Sequence, residues 1–320
     1  MLFNSPTFLF AFLPATVALY IVLRWLAGPR AVLGLLLAAS IVFYGWWNPV
    51  YLPLLGILGL VNFTLAQAML VGRRKGRLDR VSLLLALGVG FDLIVLGYFK
   101  YTDFVIGSLN ELLRHDIALQ HIVLPLGISF FTFQKIAYLV DASRGEIEDH
   151  DFLEYCFFVM FFPQLIAGPI VHHREIFSQL KGTGAFAVHP TNLMVGLTIF
   201  IIGLFKKIVL ADNLAPCADV VFDAAAAGRP LGFFAAWQGT LAFSFQLYFD
   251  FSGYSEMALG AARLFGVQLS TSSSTCEGTP PFARKGSRLC PRFPFLRRIS
   301  PTGRNAAQRR AGGPKAATPD

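Results

Sequence analysis

Apolar runs recur along the first 265 residues, separated by short polar connectors. The first, Phe3 to Leu23, carries no charge, is preceded by no basic residue and shows no small-residue cleavage site, so it reads as a retained transmembrane helix and not as a leader. Ala31 to Trp47, Tyr51 to Val71 and Val81 to Phe99 follow, each close to the roughly 20 residues that cross a bilayer. Beyond Phe99 the pattern is less regular. Lys100 to His121 is mixed, and Phe104, Leu109, Leu112 and Leu113 offer an apolar stripe for a helix lying at the interface. Ile122 to Val140 and Phe152 to Val171 are apolar again but contain Pro125, Pro163 and Pro169 together with Gln134, Lys135 and Gln164. Broken or re-entrant helices are expected there. Irregular backbone at membrane depth persists only where protein or a water-filled cavity satisfies its polar groups, so both segments should line an interior space. Leu193 to Phe205, Leu231 to Phe249 and Gly253 to Leu264 complete the hydrophobic part. The fold class predicted is all-α: a polytopic transmembrane helical bundle with broken or re-entrant helices.

The connectors give an orientation. Arg24 and Arg30 lie between the first two runs, and Arg73, Arg74, Lys75, Arg77 and Arg80 between the third and fourth. On an up-and-down path both basic loops fall on one side, which the positive-inside rule makes cytoplasmic. The N-terminus would face outward, with Trp46 and Trp47 at the outer interface.

Composition agrees with a lipid environment. The chain is 55% hydrophobic and 14% charged, with 32 phenylalanines and a mean hydropathy of +0.57. Soluble domains hold about 45–50% apolar and about 25% charged residues, so an ordinary cytosolic enzyme is excluded. The net charge of +8 hints at nucleic acid until it is located: residues 1–269 carry 17 basic and 17 acidic residues, and residues 270–320 carry 10 and 2. All of the excess therefore follows the last hydrophobic segment, and is not interleaved with a folded scaffold as in a reader of phosphates. No nucleic-acid partner is expected. The same 51 residues contain 7 of the 18 prolines and a Ser/Thr run from Ser270 to Thr275, a text with too little apolar surface to offset its ordering entropy. A membrane domain, 1–269, followed by a disordered Pro/Arg-rich tail, 270–320, is the expected organisation. Cys156, Cys217, Cys276 and Cys290 form no C-x-x-C pair, so no metal site is expected.

Ionisable groups within apolar runs carry a functional presumption. Asp92, beside Gly88 and Gly90, suits a helix-packing hydrogen bond. Lys135 suits either snorkelling toward an interface or a polar cavity, and Lys100 is less deeply placed. Asp250 stands among Gln246, Ser252, Tyr254 and Glu256, a crowding of polar groups that fits a structural network or a site wall equally well. His115, His121, His150 and His189 read as loop or interface residues. His172 and His173, adjacent and next to Arg174 and Glu175, read as a surface loop, since neighbouring helical residues point in different directions. No 20–50-residue repeat, phosphate-binding loop or Ser-His-Asp spacing is visible.

Longer strings are more specific. Phe3 to Phe10 (FNSPTFLF), Phe43 to Pro49 (FYGWWNP), Leu124 to Gln134 (LPLGISFFTFQ), Phe162 to Ile170 (FPQLIAGPI), Gly203 to Lys207 (GLFKK) with Ala211-Asp212, and Tyr248 to Tyr254 (YFDFSGY) occur in this order. Over residues 1–269 they resemble the membrane-bound O-acyltransferase family, in particular its bacterial branch of alginate O-acetyltransferase and teichoic-acid D-alanyl transfer proteins. The resemblance implies a helical funnel, a cytoplasmic acetyl donor such as acetyl-CoA, no tightly bound cofactor, an exported alginate-like polysaccharide as acceptor, acetylation partner proteins on the periplasmic side or in the membrane, and a bacterial inner-membrane location. It also implies two catalytic histidines, one in a Trp-His string after Phe-Ser-Gly-Tyr and one in Gly-Leu-Trp-His-Gly. Neither string occurs; the last His is His189 and the last Trp is Trp237. No catalytic residue is therefore assigned, and Gln134, Lys135, Asp250 and Tyr254 are the funnel-lining candidates. Loss of hydrophobicity and of the resemblance together at residue 269 is what a reading-frame change would produce, leaving a chain expected to be inactive alone. A non-catalytic membrane subunit, or a transporter or flippase component, is the alternative.

Overall fold

In the computed structural model the described residues are 2–114, 117–147, 151–165, 168, 173–180 and 184–269. They are helical, with no strand among them. The expected tail, 270–320, lies outside them, as do His115, His150, His172, Pro169, Cys276 and Cys290.

A π-helical segment, Phe8–Phe12, runs into α1 (Leu13–Leu26), and a two-residue turn leads to α2 (Pro29–Gly45). Gly28, at φ 83°, makes that turn in a region open to glycine and closed to most side chains. A 3-10 turn, Pro49–Tyr51, opened by the Asn48 side chain accepting from the Val50 N–H, precedes α3 (Leu52–Arg74). The tight basic turn at Gly76 then reverses the chain into α4 (Leu78–Leu113). After an irregular stretch come α5 (Ile128–Arg144), α6 (Phe152–Met160), the single turn α7 (Phe162–Leu165) and α8 (His173–Leu180). α9 (Pro190–Phe205) passes through a second π segment, Lys206–Ala211, into α10 (Asp212–Ala226), and α11 (Phe233–Leu264) returns along both. Among the described residues, four stretches are long and apolar enough to cross a membrane: Phe8–Leu26, Pro49–Arg74, Leu78–Leu113 and Pro190–Ala226.

Four expectations about element boundaries need correction. The segment from Lys100 is the continuation of α4 and not a separate interfacial helix. Its polar residues fasten it to the chain that follows: Asp103 accepts from the N–H groups of Gln120 (2.8 Å) and Ile122 (2.9 Å), and Asn110 exchanges two hydrogen bonds with Ile117. In the 122–140 segment the irregular backbone is confined to residues 122–127, and no break falls inside the helix: α5 begins after Pro125 and Gly127 and runs uninterrupted. The run expected to end at Phe205 does not end there, because the backbone continues through Lys206, Lys207 and the rest of the π segment to Ala226. The two runs expected at 231–249 and 253–264 are one helix, α11, whose polar middle is satisfied by the neighbouring helix.

Phe152–Leu165 does break as expected, at Phe161 (ψ 114°) between α6 and α7. The break removes the helical bond that would join the Phe162 N–H to the Phe158 carbonyl. Both orphans find partners on other helices: Phe162 N–H donates to Ser40 Oγ on α2 (3.0 Å), and Gln134 Nε2 on α5 donates to Phe158 O (2.9 Å). This is the requirement that membrane-depth backbone be satisfied by protein, met residue by residue.

The core is aromatic. Phe3, Phe8, Phe12, Phe43, Phe162 and Tyr254 form a continuous set of ring contacts with centroids 4.8–6.2 Å apart, joining the N-terminal segment to α2, α7 and α11. Offset and edge-on ring pairs add about 0.5–1.5 kcal/mol each beyond the area they bury. A second cluster, Tyr44, Leu55, Leu58, Leu96, Ile128, Phe131 and Leu165, fills the space among α2, α3, α4 and α5.

Candidate functional site

The glycines of α9 and α11 bring two backbones together and so decide where the charged residues of α11 sit. Gly196 lies against Gly260 and Gly203 against Gly253, two pairs seven residues apart on antiparallel helices. A Cβ at Gly203 would stand 2.6 Å from Gly253 O and 2.7 Å from Met257 N. Small residues permit this approach, the usual basis of helix association in lipid.

The π segment starts one turn beyond Gly203 and carries Lys206 and Lys207. Lys206 Nζ bonds Glu256 and lies 3.4 Å from Ser252 Oγ; Lys207 Nζ reaches Asp250 at 2.6 Å and Asp212 at 2.7 Å. Two lysines and three carboxylates thus form a ladder joining the π segment to α11 and to the first residue of α10. The insertion of an extra residue per turn is what lets two consecutive lysines both reach the same helix, and π segments of this kind occur frequently at functional sites. The Asp250 side chain remains 48% exposed, so one side of the ladder is open. Tyr254, one turn further, is stacked on Phe3 (4.8 Å) with its hydroxyl buried and without a protein partner.

Gln134 and Lys135 lie elsewhere, on the buried side of α5. Gln134 is committed to Phe158 O at the helix break. Lys135 does not snorkel. It is 0% exposed, with Nζ 4.5 Å from the centre of the Phe131 ring, so of the two readings open to it only the polar interior remains. Asp92 on α4 behaves as its glycine neighbours suggest: it accepts from Asn62 Nδ2 of α3 at 2.9 Å, and Gly88, one turn away, lets α4 approach Leu139 of α5. The four funnel-lining candidates are therefore held in two places by different helices, Gln134 and Lys135 against α3, α4 and α6, and Asp250 and Tyr254 against the π segment and the N-terminal aromatics.

One pair was not anticipated. His173, expected in a surface loop, is buried at the start of α8, with Nδ1 3.1 Å from Asp141 Oδ2 on α5 and its ring edge-on to Tyr138. The only sequence signal was an Asp near the end of an apolar run, 32 positions away. The same end of the bundle holds Arg73 Nη1 donating to Ser143 O (2.8 Å) and Arg174 paired with Glu146 (2.9 Å). No group of three or more His, Cys, Asp or Glu side chains arranged to hold a metal occurs among the described residues.

Packed apolar helices, a helix broken at depth with its backbone repaired, and charges paired in the interior define a multi-spanning membrane protein. The sequence matches the membrane-bound O-acyltransferase family model over residues 115–293, more than half of the chain, and the chain belongs to that family. It is 41% identical to the peptidoglycan O-acetyltransferase of Helicobacter pylori, over 84% of this chain and 55% of that protein. It is 40% identical to the probable alginate O-acetylase of Pseudomonas aeruginosa, over 84% and 50%. A teichoic acid D-alanyltransferase of Lacticaseibacillus rhamnosus matches at 30% over 45% of this chain and 36% of that protein. The chain spans about half the length of the curated acetyltransferases it matches.

Proposed function

We propose that the chain forms a membrane part of an enzyme that transfers acetyl groups from a donor such as acetyl-CoA, on the cytoplasmic side, to hydroxyl groups of an exported, alginate-like polysaccharide. The observation that carries this reading is the family membership together with two relatives at about 40% identity, both named for O-acetyl transfer to a glycan. The location is the bacterial inner membrane. The basic turns at Arg24–Arg30 and at Arg73–Arg80 face the cytoplasm, which leaves the N-terminus outside. Acetylation partner proteins on the periplasmic side or in the membrane would receive or present the glycan.

In this reading Asp250, Tyr254 and the lysine ladder wall the path along α11, and Gln134 and Lys135 support it from α5. None of them is a catalytic residue. General-base removal of the acceptor's proton contributes typically 10²–10⁴ in rate, and the family resemblance places that task on histidines in strings this sequence does not contain. Peptidoglycan is the second acceptor, favoured by the Helicobacter relative. The test is to fuse residues 1–269 to the histidine-bearing remainder of an O-acetyltransferase relative, express the fusion in acetylation-deficient hosts making either alginate or O-deacetylated peptidoglycan, and measure base-released acetate on each polymer. Acetate on alginate supports the first reading, acetate on peptidoglycan the second. Correct insertion with acetate on neither overturns both and leaves the non-catalytic subunit.

A further inference from the structure

Away from the lysine ladder, four polar side chains from four helices meet in the interior: Asn62 (α3), Asp92 (α4), Lys135 (α5) and Tyr155 (α6). Their exposures are 0, 2, 0 and 0%. The Tyr155 ring stands 5.4 Å from that of Phe63, the neighbour of Asn62, and 4.8 Å from that of Tyr138, one turn from Lys135, while Gly88, one turn from Asp92, lies against Leu139, one turn from Lys135. One direct hydrogen bond ties the group together, Asn62 Nδ2 to Asp92 Oδ1. Asn62 Oδ1, Asp92 Oδ2, Lys135 Nζ and Tyr155 OH have no protein partner.

The inventory of these atoms selects a ligand. Two are acceptors only, one is a donor of up to three hydrogens, and one can do both. A metal ion would be repelled by the ammonium, and an anion by the carboxylate. A neutral molecule that donates to Asp92 and Asn62 while accepting from Lys135 satisfies both, and water is the smallest that does. Buried waters typically make about three hydrogen bonds to polar groups otherwise unsatisfied.

We propose that Asn62, Asp92, Lys135 and Tyr155 form an internal hydration site in which ordered water bridges Lys135 to Asp92, making them one acid–base pair with no net charge. Wherever the shared proton resides, the pair is neutral, which is the condition for holding two ionisable groups inside a membrane bundle. The inference does not depend on the acetyl-transfer reading.

The experiment is X-ray radiolytic hydroxyl labelling of the purified full chain in lipid nanodiscs, read by mass spectrometry. Radicals formed from bound water oxidise the side chains beside it even when those are buried. Phe131, whose ring faces Lys135 Nζ, is as buried as Phe157 and Phe161 in the dry aromatic core. Labelling of Phe131 and Tyr155 should exceed that of Phe157 and Phe161 several-fold. Equal labelling overturns the proposal, because it means the polar group is dry. Asp92→Asn and Lys135→Met should each lower the unfolding midpoint, and the double variant should recover more than half of the combined loss, with labelling at Phe131 falling to the Phe157 level. A double variant that loses the sum of the singles overturns the pairing. If either single variant fails to insert, recovery of insertion in the double variant supports the pairing and its absence overturns it.

Discussion

Adding one methyl group at Gly203 tests whether the glycine contacts set the spacing of α9 and α11. In Gly203→Ala the new Cβ would lie 2.6 Å from Gly253 O, 2.7 Å from Met257 N and 2.9 Å from Glu256 Cβ. Ordinary contact at such a position begins near 3.4 Å. Two of the three obstacles are backbone, which cannot rotate aside, so the helices must part by several tenths of an ångström over the whole crossing. Overpacking of this kind costs about 1–3 kcal/mol. At about 2–4 °C per kcal/mol for a chain of this size, the midpoint should fall by about 2–12 °C. The separation also lengthens the Lys207–Asp250 and Lys206–Glu256 contacts, since both depend on the same crossing. Gly97 supplies the control: it sits mid-helix in α4 with nothing within 4 Å of its Cβ position, so Gly97→Ala should gain helix propensity, up to about 1 kcal/mol. The assay is thermal unfolding in detergent followed by intrinsic tryptophan fluorescence. Opposite signs for the two substitutions are expected. A Gly203→Ala protein as stable as the parent would refute the claim that these backbones touch.

Other consequences follow from particular contacts. Gln134→Leu should lose about 1–3 kcal/mol, because it strands the buried Phe158 carbonyl at the helix break, and the midpoint of thermal unfolding reads the loss. Asp141→Asn weakens a charge-assisted bond to a buried imidazole and should cost up to about 3 kcal/mol; a thermal midpoint unchanged within about 1 °C would show that His173 is held by its other contacts. Asp250→Asn should change stability by less than about 1 kcal/mol, because the carboxylate is half exposed and Lys207 keeps Asp212. A larger drop in midpoint would mean that the ladder is shielded from solvent in the bilayer.

The hydrophobic pattern located most of the helices because it reports burial in lipid, and lipid contact is a property of a single helix. It misplaced boundaries wherever polar residues are satisfied by a neighbour. The mixed stretch from Lys100, in which Asp103 and Asn110 lie, looked like a separate element after Phe99, and Asp250 and Ser252 stood at a gap between two runs, yet each of these four polar residues has its partner on another segment. The same blindness separates the readings that held from those that failed at single residues. Asp92 could be read as a packing contact because Gly88 stands beside it in sequence, whereas His173 was placed at the surface because Asp141 is 32 residues away. Glycine is the sharpest case: Gly97 and Gly203 are indistinguishable in composition and local context, one facing open space and the other a carbonyl oxygen. In a membrane bundle, where lipid competes for every apolar face, the choice of partner falls to such close approaches and to paired polar atoms. Those are properties of two helices at once, and no periodicity within one helix encodes them.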